Sequence, residues 1–81
     1  MKLVVNLNKY NSKEKLLNYF KNYLTEMYSP NYDALIDALT SFEANLEIIL
    51  DEHECYDDLN NLVEVLDIIT KSNKNIIVYF A

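Results

Sequence analysis

Three short, predominantly apolar runs constrain the fold of this chain more than any other feature of its sequence. They span Lys2 to Leu7, Leu46 to Leu50 and Ile76 to Phe80. Each is rich in β-branched or other apolar residues and has the length of a buried strand. Longer amphipathic segments separate the runs, and apolar strands joined by helices form parallel sheets with right-handed crossovers. The sequence therefore predicts an α/β domain with a small three-stranded parallel sheet, in the order β-α-α-β-α-β.

The segments between the strands carry apolar residues at helical spacing. The first helix is predicted to open at Asn11 and Ser12, the second to span Tyr28 to Phe42, and the third to be capped by Asp57 or Asp58. The apolar stripes are Leu16, Leu17, Phe20, Leu24 and Met27, then Tyr32, Leu35, Ile36, Leu39 and Phe42, then Leu59, Leu62, Val63, Leu66 and Ile69, widened by Val65 and Ile68. The wide third stripe indicates contacts on more than one side. We expect the first and third helices to lie on the sheet, and the second at an end or flank with one face free.

Length and composition indicate one domain, residues 1–81, outside the membrane. A chain of 81 residues with 51% hydrophobic content can bury a single core. Its one cysteine cannot form an intrachain disulfide, and the apolar N-terminal run is too short for a signal peptide. No run approaches the roughly 20 apolar residues that a membrane helix needs. We therefore expect a cytoplasmic protein without a membrane partner.

The chain contains no glycine, so another residue type must supply any backbone position with positive φ. Asparagine tolerates that conformation best among the other residues. Asn8, Asn45 and Asn73 stand where turns are predicted, and Asn73 is expected to take the position that glycine usually occupies at a helix C-terminus.

The charged residues are strongly segregated along the chain, whose net charge is −6. Every lysine lies at or before Lys21 or at or after Lys71, and the chain has no arginine. The segment between them holds twelve of the thirteen acids. Such a block attracts cationic partners and repels nucleic acid, although solubility alone also accounts for many acidic surfaces.

Two of these acids, Asp33 and Asp37, lie one turn apart in the second predicted helix. Ser29 and Asn31 are alternative N-caps, and either one places Asp33 in the first turn, where the helix dipole stabilises a carboxylate. Asp37 lies a turn further in, and like charges four residues apart cost about 0.2 to 0.5 kcal/mol. The pair suggests a partner that supplies positive charge. A solvated outer face is the alternative interpretation of Asp37.

The segment Asn31-Tyr32-Asp33-Ala34-Leu35-Ile36-Asp37-Ala38-Leu39-Thr40, preceded by Tyr28 and followed by Phe42, resembles the central motif of the barstar family of ribonuclease inhibitors. In that family a tyrosine-rich loop leads into a helix of the form N-x-D-A-L-x-D-x-L that an aromatic residue closes. The resemblance implies a barstar-like domain with three to four helices. It also implies a protein that is not an enzyme, carries no cofactor and blocks a basic extracellular ribonuclease or a related nuclease toxin.

The resemblance also implies a role for individual residues in partner binding. Asp37 would enter the cationic active site of the nuclease, with Asp33 as a supporting acid. Tyr28 and Phe42 would be aromatic contacts at the rim, and Asn31 would hold the loop and the helix start. An additional acid on the last helix would be Glu64 or Asp67. The complex would be one-to-one, and the free protein a monomer.

Metal-dependent and hydrolytic chemistry have little support in the sequence. The loop Asp51 to Cys55 contains acids, a histidine and a cysteine, but adjacent residues cannot all converge on one ion, and no CxxC or HExxH pattern occurs. We expect a solvated loop with Cys55 buried. No serine or cysteine has a recognisable histidine partner, so no catalytic residues are assigned.

Two other functions stay open. An acidic mimic of nucleic acid, binding another basic protein or toxin, would depend on many acids about equally. An acyl carrier would need a serine directly after aspartate at a helix start, and none of the four serines follows an aspartate.

Overall fold

The computed structural model describes all 81 residues. The elements in chain order are β1 (Lys2–Asn6), α1 (Lys13–Tyr23), α2 (Tyr32–Thr40), β2 (Leu46–Asp51), a 3₁₀ turn (His53–Cys55), α3 (Leu59–Ser72) and β3 (Ile76–Phe80). The predicted α/β class and the order β-α-α-β-α-β are confirmed. No helix has the length and apolar character required to cross a membrane.

The three strands form one parallel sheet in the order β1-β2-β3. Its central row aligns Val4 with Ile49 and Ile49 with Tyr79. Burial alternates along β1 and β2, so that Leu3, Val5 and the even-numbered residues of β2 from Leu46 to Leu50 face the core. The helices therefore cover one face of the sheet and leave the other open.

The core is built from that sheet face and from one stripe of each helix. Its largest fully buried side chains are Phe20, Leu7, Leu16, Leu17, Leu35, Leu39, Leu46, Ile48, Leu50, Leu62, Ile69 and Val5. Each fully buried aliphatic or aromatic side chain of this size stabilises the fold by roughly 1.5 to 3 kcal/mol relative to exposure. The predicted stripe of α1 is confirmed for Leu16, Leu17 and Phe20. The helix ends at Tyr23, so Leu24 and Met27, which were predicted to lie on its face, are instead buried in the segment after it. In α3 the stripe is narrower than predicted, because Val63 and Ile68 are exposed.

The α2 helix packs against both α1 and α3. The expectation that it lies at an end or flank was therefore wrong, since it has a neighbouring helix on two sides. Four of its residues, Ala34, Leu35, Ala38 and Leu39, are buried there. It still presents Asp33 and Asp37 to solvent.

The start of all three helices lies at the carboxyl edge of the sheet. Helices α1 and α3 follow β1 and β2 directly, and the hydroxyl of Tyr32 at the start of α2 donates to Asp58 at the start of α3 at 2.8 Å. Ser12 is the N-cap of α1 as predicted, and accepts from the backbone N–H of Lys15 at 3.2 Å. The three helix dipoles therefore present their positive ends at one edge, where acids are favourable.

The N-cap position of α3 was predicted correctly, but the expected hydrogen bond from an aspartate side chain to the backbone of the helix is absent. Asp58 occupies the N-cap position, but its carboxylate accepts from Tyr32 and from Asn61 Nδ2 rather than from a backbone N–H of α3. Asp57 instead accepts from the backbone N–H of Lys13, at 3.1 Å, in the first turn of α1. These two acids therefore join helices that are far apart in the chain.

The expected use of asparagine at positive φ was also wrong. The one residue with positive φ is Glu52, at 52°, in the turn after β2. Asn73 is the C-cap of α3, but its backbone is extended, with φ at −135°. Its side chain acts elsewhere, at the end of α2.

Candidate functional site

The start of α2 is fixed by Asn31. Its side-chain oxygen accepts from the backbone N–H of Ala34 at 2.8 Å, which satisfies one of the free donors of the first turn. Ser29, the alternative predicted cap, makes no side-chain hydrogen bond, and Pro30 precedes the helix instead of opening it. The helix is consequently shorter than the predicted span from Tyr28 to Phe42, and Asp33 lies in its first turn.

The end of α2 is fixed by three polar side chains that bond its last carbonyls. Thr40 donates to Ile36 at 2.7 Å, and Ser41 donates to Asp37 at 2.7 Å. The buried side chain of Asn73 donates from Nδ2 to the carbonyls of Leu39 and Phe42, at 2.9 and 2.8 Å. These bonds add to the backbone hydrogen bonds that the carbonyls of Asp37 and Leu39 accept from Ser41 and Phe42 at the helix end. The helix is therefore held at both ends.

Asp33 and Asp37 are exposed, and neither carboxylate has a partner within the chain. The one lysine ion pair of the molecule joins Lys71 to Asp67, and His53 lies near Glu54, so no basic side chain pairs with α2. The Nζ of Lys13 lies 5.0 Å from the ring centre of Tyr32, where it contacts the aromatic face. Residues four apart are separated by about 6 Å along a helix. The site is thus a pair of uncompensated carboxylates on a fixed helix.

The predicted aromatic residues lie on either side of α2 in the chain. Tyr28, in the loop before the helix, is 66% exposed and makes no hydrogen bond through its hydroxyl. Phe42, after the helix, is half-buried and packs against the core. No hydrogen bond or aromatic pair joins either residue to the two aspartates. The predicted site residues are therefore spread along α2 and its two flanking loops: Tyr28 and Asn31 precede the helix, Asp33 and Asp37 lie on it, and Phe42 follows it.

A cleft of about 480 Å³ opens beside the C-terminal half of α2. Its lining consists of Glu26, Ala38, Ser41, Phe42, Glu43 and Ala44. Glu26 and Glu43 were not assigned to the site from the sequence. The signal was present, because both acids flank the predicted motif within a segment that has no lysine or arginine. The cleft adds two carboxylates and an aromatic surface to the helix face.

A hydrogen-bonded chain at the other end of α2 connects it to α3. Because Tyr32 donates its proton to Asp58, the Tyr56 hydroxyl donates to the Tyr32 oxygen at 2.9 Å. Burial is the main reason that the pKa of Tyr56 is raised to about 12. Burial, followed by the hydrogen bonds with Tyr56 and Asp58, raises the pKa of Tyr32 as well. Both hydroxyls therefore stay protonated at neutral pH, and the chain of bonds is structural.

The loop from Asp51 to Cys55 does not form a metal centre. No three histidine, cysteine or acidic side chains come close enough to share an ion. His53 packs edge-on against Phe80, with ring centres 5.5 Å apart. Cys55 is exposed, so the expectation that it is buried was wrong. Local desolvation, and then the nearby charges of Glu54 and Glu52, raise the pKa of its thiol, which disfavours the reactive thiolate.

Comparison with known proteins leaves the family of this chain unassigned. No protein-family model matches it, and no curated protein matches its sequence. The geometry of α2 and its surroundings is therefore what points to a function.

Proposed function

We propose that this protein inhibits a basic ribonuclease of the barnase type by inserting the acidic face of α2 into the active site of the nuclease. The main support for this proposal is that Asp37 is exposed and has no partner within the chain, on a helix whose two ends are fixed by hydrogen bonds. A carboxylate buried within its own chain could not serve this role. The proposal also includes a barstar-like fold. The element order and the parallel sheet are compatible with that fold, and the motif around α2 resembles that of the family.

Electrostatics supplies the reason for inhibition. A ribonuclease active site is cationic, because it must hold phosphates, and carboxylates can occupy it as phosphate substitutes. Asp37 is the principal contact, and Asp33 supports it. A rigid helix also loses little conformational entropy on binding, which favours affinity.

The surroundings of α2 supply the remaining contacts. Tyr28 gives an exposed aromatic surface, and Phe42 with the cleft beside it can receive a basic side chain between Glu26 and Glu43. Asn31 acts by holding the helix start. On α3, Asp67 is paired with Lys71 at 3.0 Å, whereas Glu64 has no partner. We therefore favour Glu64 as the additional acid of the interface.

An acidic mimic of nucleic acid is the second candidate, with another basic protein or toxin as its partner. Of the twelve acids in the central block, all except Glu47 and Asp58 are exposed. A surface of that kind could meet a basic protein over a broad area. The two candidates predict different effects of single substitutions. Binding by an inhibitor helix should depend mainly on Asp37, whereas binding by a mimic should depend on many acids about equally.

A titration of ribonuclease activity tests the proposal. The purified chain is added to a barnase-type ribonuclease, and RNA cleavage is followed at each ratio. We expect cleavage to stop when one chain is present for each nuclease molecule, because each chain should occupy one active site. Undiminished cleavage with excess chain would refute inhibition of this nuclease class. A cytoplasmic location is part of the proposal, because an inhibitor there would protect a cell against the nuclease.

A further inference from the structure

The outer edge of β3 carries backbone groups without hydrogen-bond partners. In a parallel ladder every second residue bonds to the neighbouring strand. The bonds from Leu46 N–H to the Asn75 carbonyl and from Ala81 N–H to the Leu50 carbonyl, both 2.9 Å, lie at the two ends of the β2–β3 ladder. Residues 75, 77, 79 and 81 therefore bond inward, and Ile76, Val78 and Phe80 direct their backbone groups outward.

The outward groups form a specific set. The N–H of Ile76 donates to the Asn73 carbonyl at 3.2 Å. The amide groups of Val78 and Phe80, and the carbonyls of Ile76, Val78 and Phe80, bond to no other segment. The free edge therefore has a donor and an acceptor at both Val78 and Phe80, and an acceptor at Ile76.

This set is complementary to itself. If two copies of β3 pair in an antiparallel manner about a two-fold axis at Val78, the two Val78 residues exchange both of their hydrogen bonds. The Phe80 N–H of each copy then faces the free carbonyl of Ile76 in the other. The pairing uses four hydrogen bonds and leaves the Phe80 carbonyl of each copy without a donor, because the Ile76 N–H that faces it already donates to Asn73.

The side chains of β3 suit the same arrangement. The strand has the sequence IIVYF, without a charge or a proline to prevent pairing. Ile77 and Tyr79 are each 50% exposed, and the two-fold axis sets each Ile77 across from the Tyr79 of the other copy. Aromatic and β-branched residues at facing positions stabilise strand pairs.

We propose that two copies of this chain associate through β3, so that their sheets join into one six-stranded sheet. Phe80, 41% exposed, and Val63 on α3 border a groove along this edge and would be covered. The one acid in the groove lining, Asp67, is paired with Lys71, which limits repulsion between copies. This replaces the monomer expected from the sequence and leaves α2 of each copy able to bind a nuclease.

The edge of β1 has the same free N–H and carbonyl at its central residue, Val4, but the residues around it disfavour pairing. Its outward residues are Lys2, Val4 and Asn6, and a lysine on an edge strand is a common defence against pairing. The Asn6 carbonyl already accepts from Lys9 and Tyr10, at 3.1 and 3.0 Å. Association through β3 alone is isologous and therefore stops at two copies.

Amide hydrogen exchange and mass measured together test the dimer. At high protein concentration we expect a mass twice the 9.5 kDa of the chain, and slow exchange of the Val78 and Phe80 amides. Dilution should lower the mass and speed exchange at these two positions, while Ile77 and Tyr79 stay protected by β2. A monomer at every concentration, or a dimer in which Val78 and Phe80 exchange rapidly, would overturn the proposal.

A pair of proline variants locates the interface. Val78→Pro removes the outward N–H at the two-fold axis and should weaken the dimer about tenfold or more, because each copy loses a hydrogen bond. Val4→Pro removes the equivalent outward N–H of β1 and should leave the dimer intact. Equal effects of the two variants, or weakening by Val4→Pro alone, would contradict a β3 interface. The exchange experiment on the unaltered chain decides the matter if either variant fails to fold.

Discussion

Two asparagines give α2 its fixed ends in a chain without glycine. At the start of α2, the Asn31 side chain accepts from the Ala34 N–H. At its end, the side chain of Asn73, the C-cap of α3, donates to two backbone carbonyls. The side chain of Asn73 is buried, and its oxygen also accepts from the Asn75 N–H at 3.0 Å. The proposed inhibitor helix would benefit from this arrangement, since less freedom would be lost on binding.

Replacing Asn31 tests the start of α2. Asn31→Ala should lower the free energy of unfolding by about 0.5 to 2 kcal/mol, because the N–H of Ala34 loses its acceptor. Urea denaturation measures the change. Ser29→Ala is the matched control and should stay within about 0.5 kcal/mol, since the Ser29 hydroxyl bonds nothing. A larger loss for Ser29→Ala would place the cap at Ser29.

At the scale of elements, the helices are joined where they begin. Tyr56 and Asp58 near the start of α3 bond Tyr32 on α2, and Asp57 bonds the first turn of α1. These contacts set the position of α2 between its neighbours, so the direction in which Asp33 and Asp37 point depends on residues outside the motif.

The Tyr56 hydroxyl makes this junction sensitive to alkaline pH. Its pKa is raised from about 10 to about 12 in the folded protein, so between these values the unfolded chain releases the proton while the folded chain retains it. The free energy of unfolding should be independent of this group below pH about 10 and should fall as pH rises above it. Tyr56→Phe should make that fall less steep in urea titrations from about pH 9 to about pH 12.

The exposed Tyr28 supplies the control for this measurement. Tyr28→Phe removes a hydroxyl that bonds nothing and should leave the pH dependence of stability unchanged. If the decline above pH about 10 is as steep in Tyr56→Phe as in the unaltered protein, the buried Tyr56 hydroxyl does not link stability to pH.

Local patterns predicted the elements well and their connections poorly. The bounds of β3 follow from its apolar run, and the buried Leu16, Leu17 and Phe20 of α1 follow from helical spacing, because both signals depend on neighbours in the chain. The bonds of Asp57 to α1, of Asp58 to Tyr32 and of Asn73 to α2 join segments more than 20 residues apart, and local patterns carry no signal for them. The aspartate pair was predictable from spacing, but its lack of a partner required the structure.

The helix layer of the molecule carries the proposed inhibitor surface, and the β3 edge of the sheet carries the proposed dimer contact. The helix layer presents Asp33 and Asp37, with Glu26 and Glu43 at the adjacent cleft. Glu47 lies on the opposite, open face of the sheet, because its strand neighbours Leu46 and Ile48 face the core. The chain therefore contains an acid that shares the charge of Asp37 without sharing its surface.

Comparing Asp37→Ala with Glu47→Ala in binding to a barnase-type ribonuclease is the most direct test of the proposed inhibitor. Each variant removes one negative charge, so the net charge is matched. We expect Asp37→Ala to weaken binding by about 2 kcal/mol or more, the range of an interface hot spot, and Glu47→Ala to change it little. Equal losses for the two variants would contradict insertion of Asp37 and favour a broad acidic mimic.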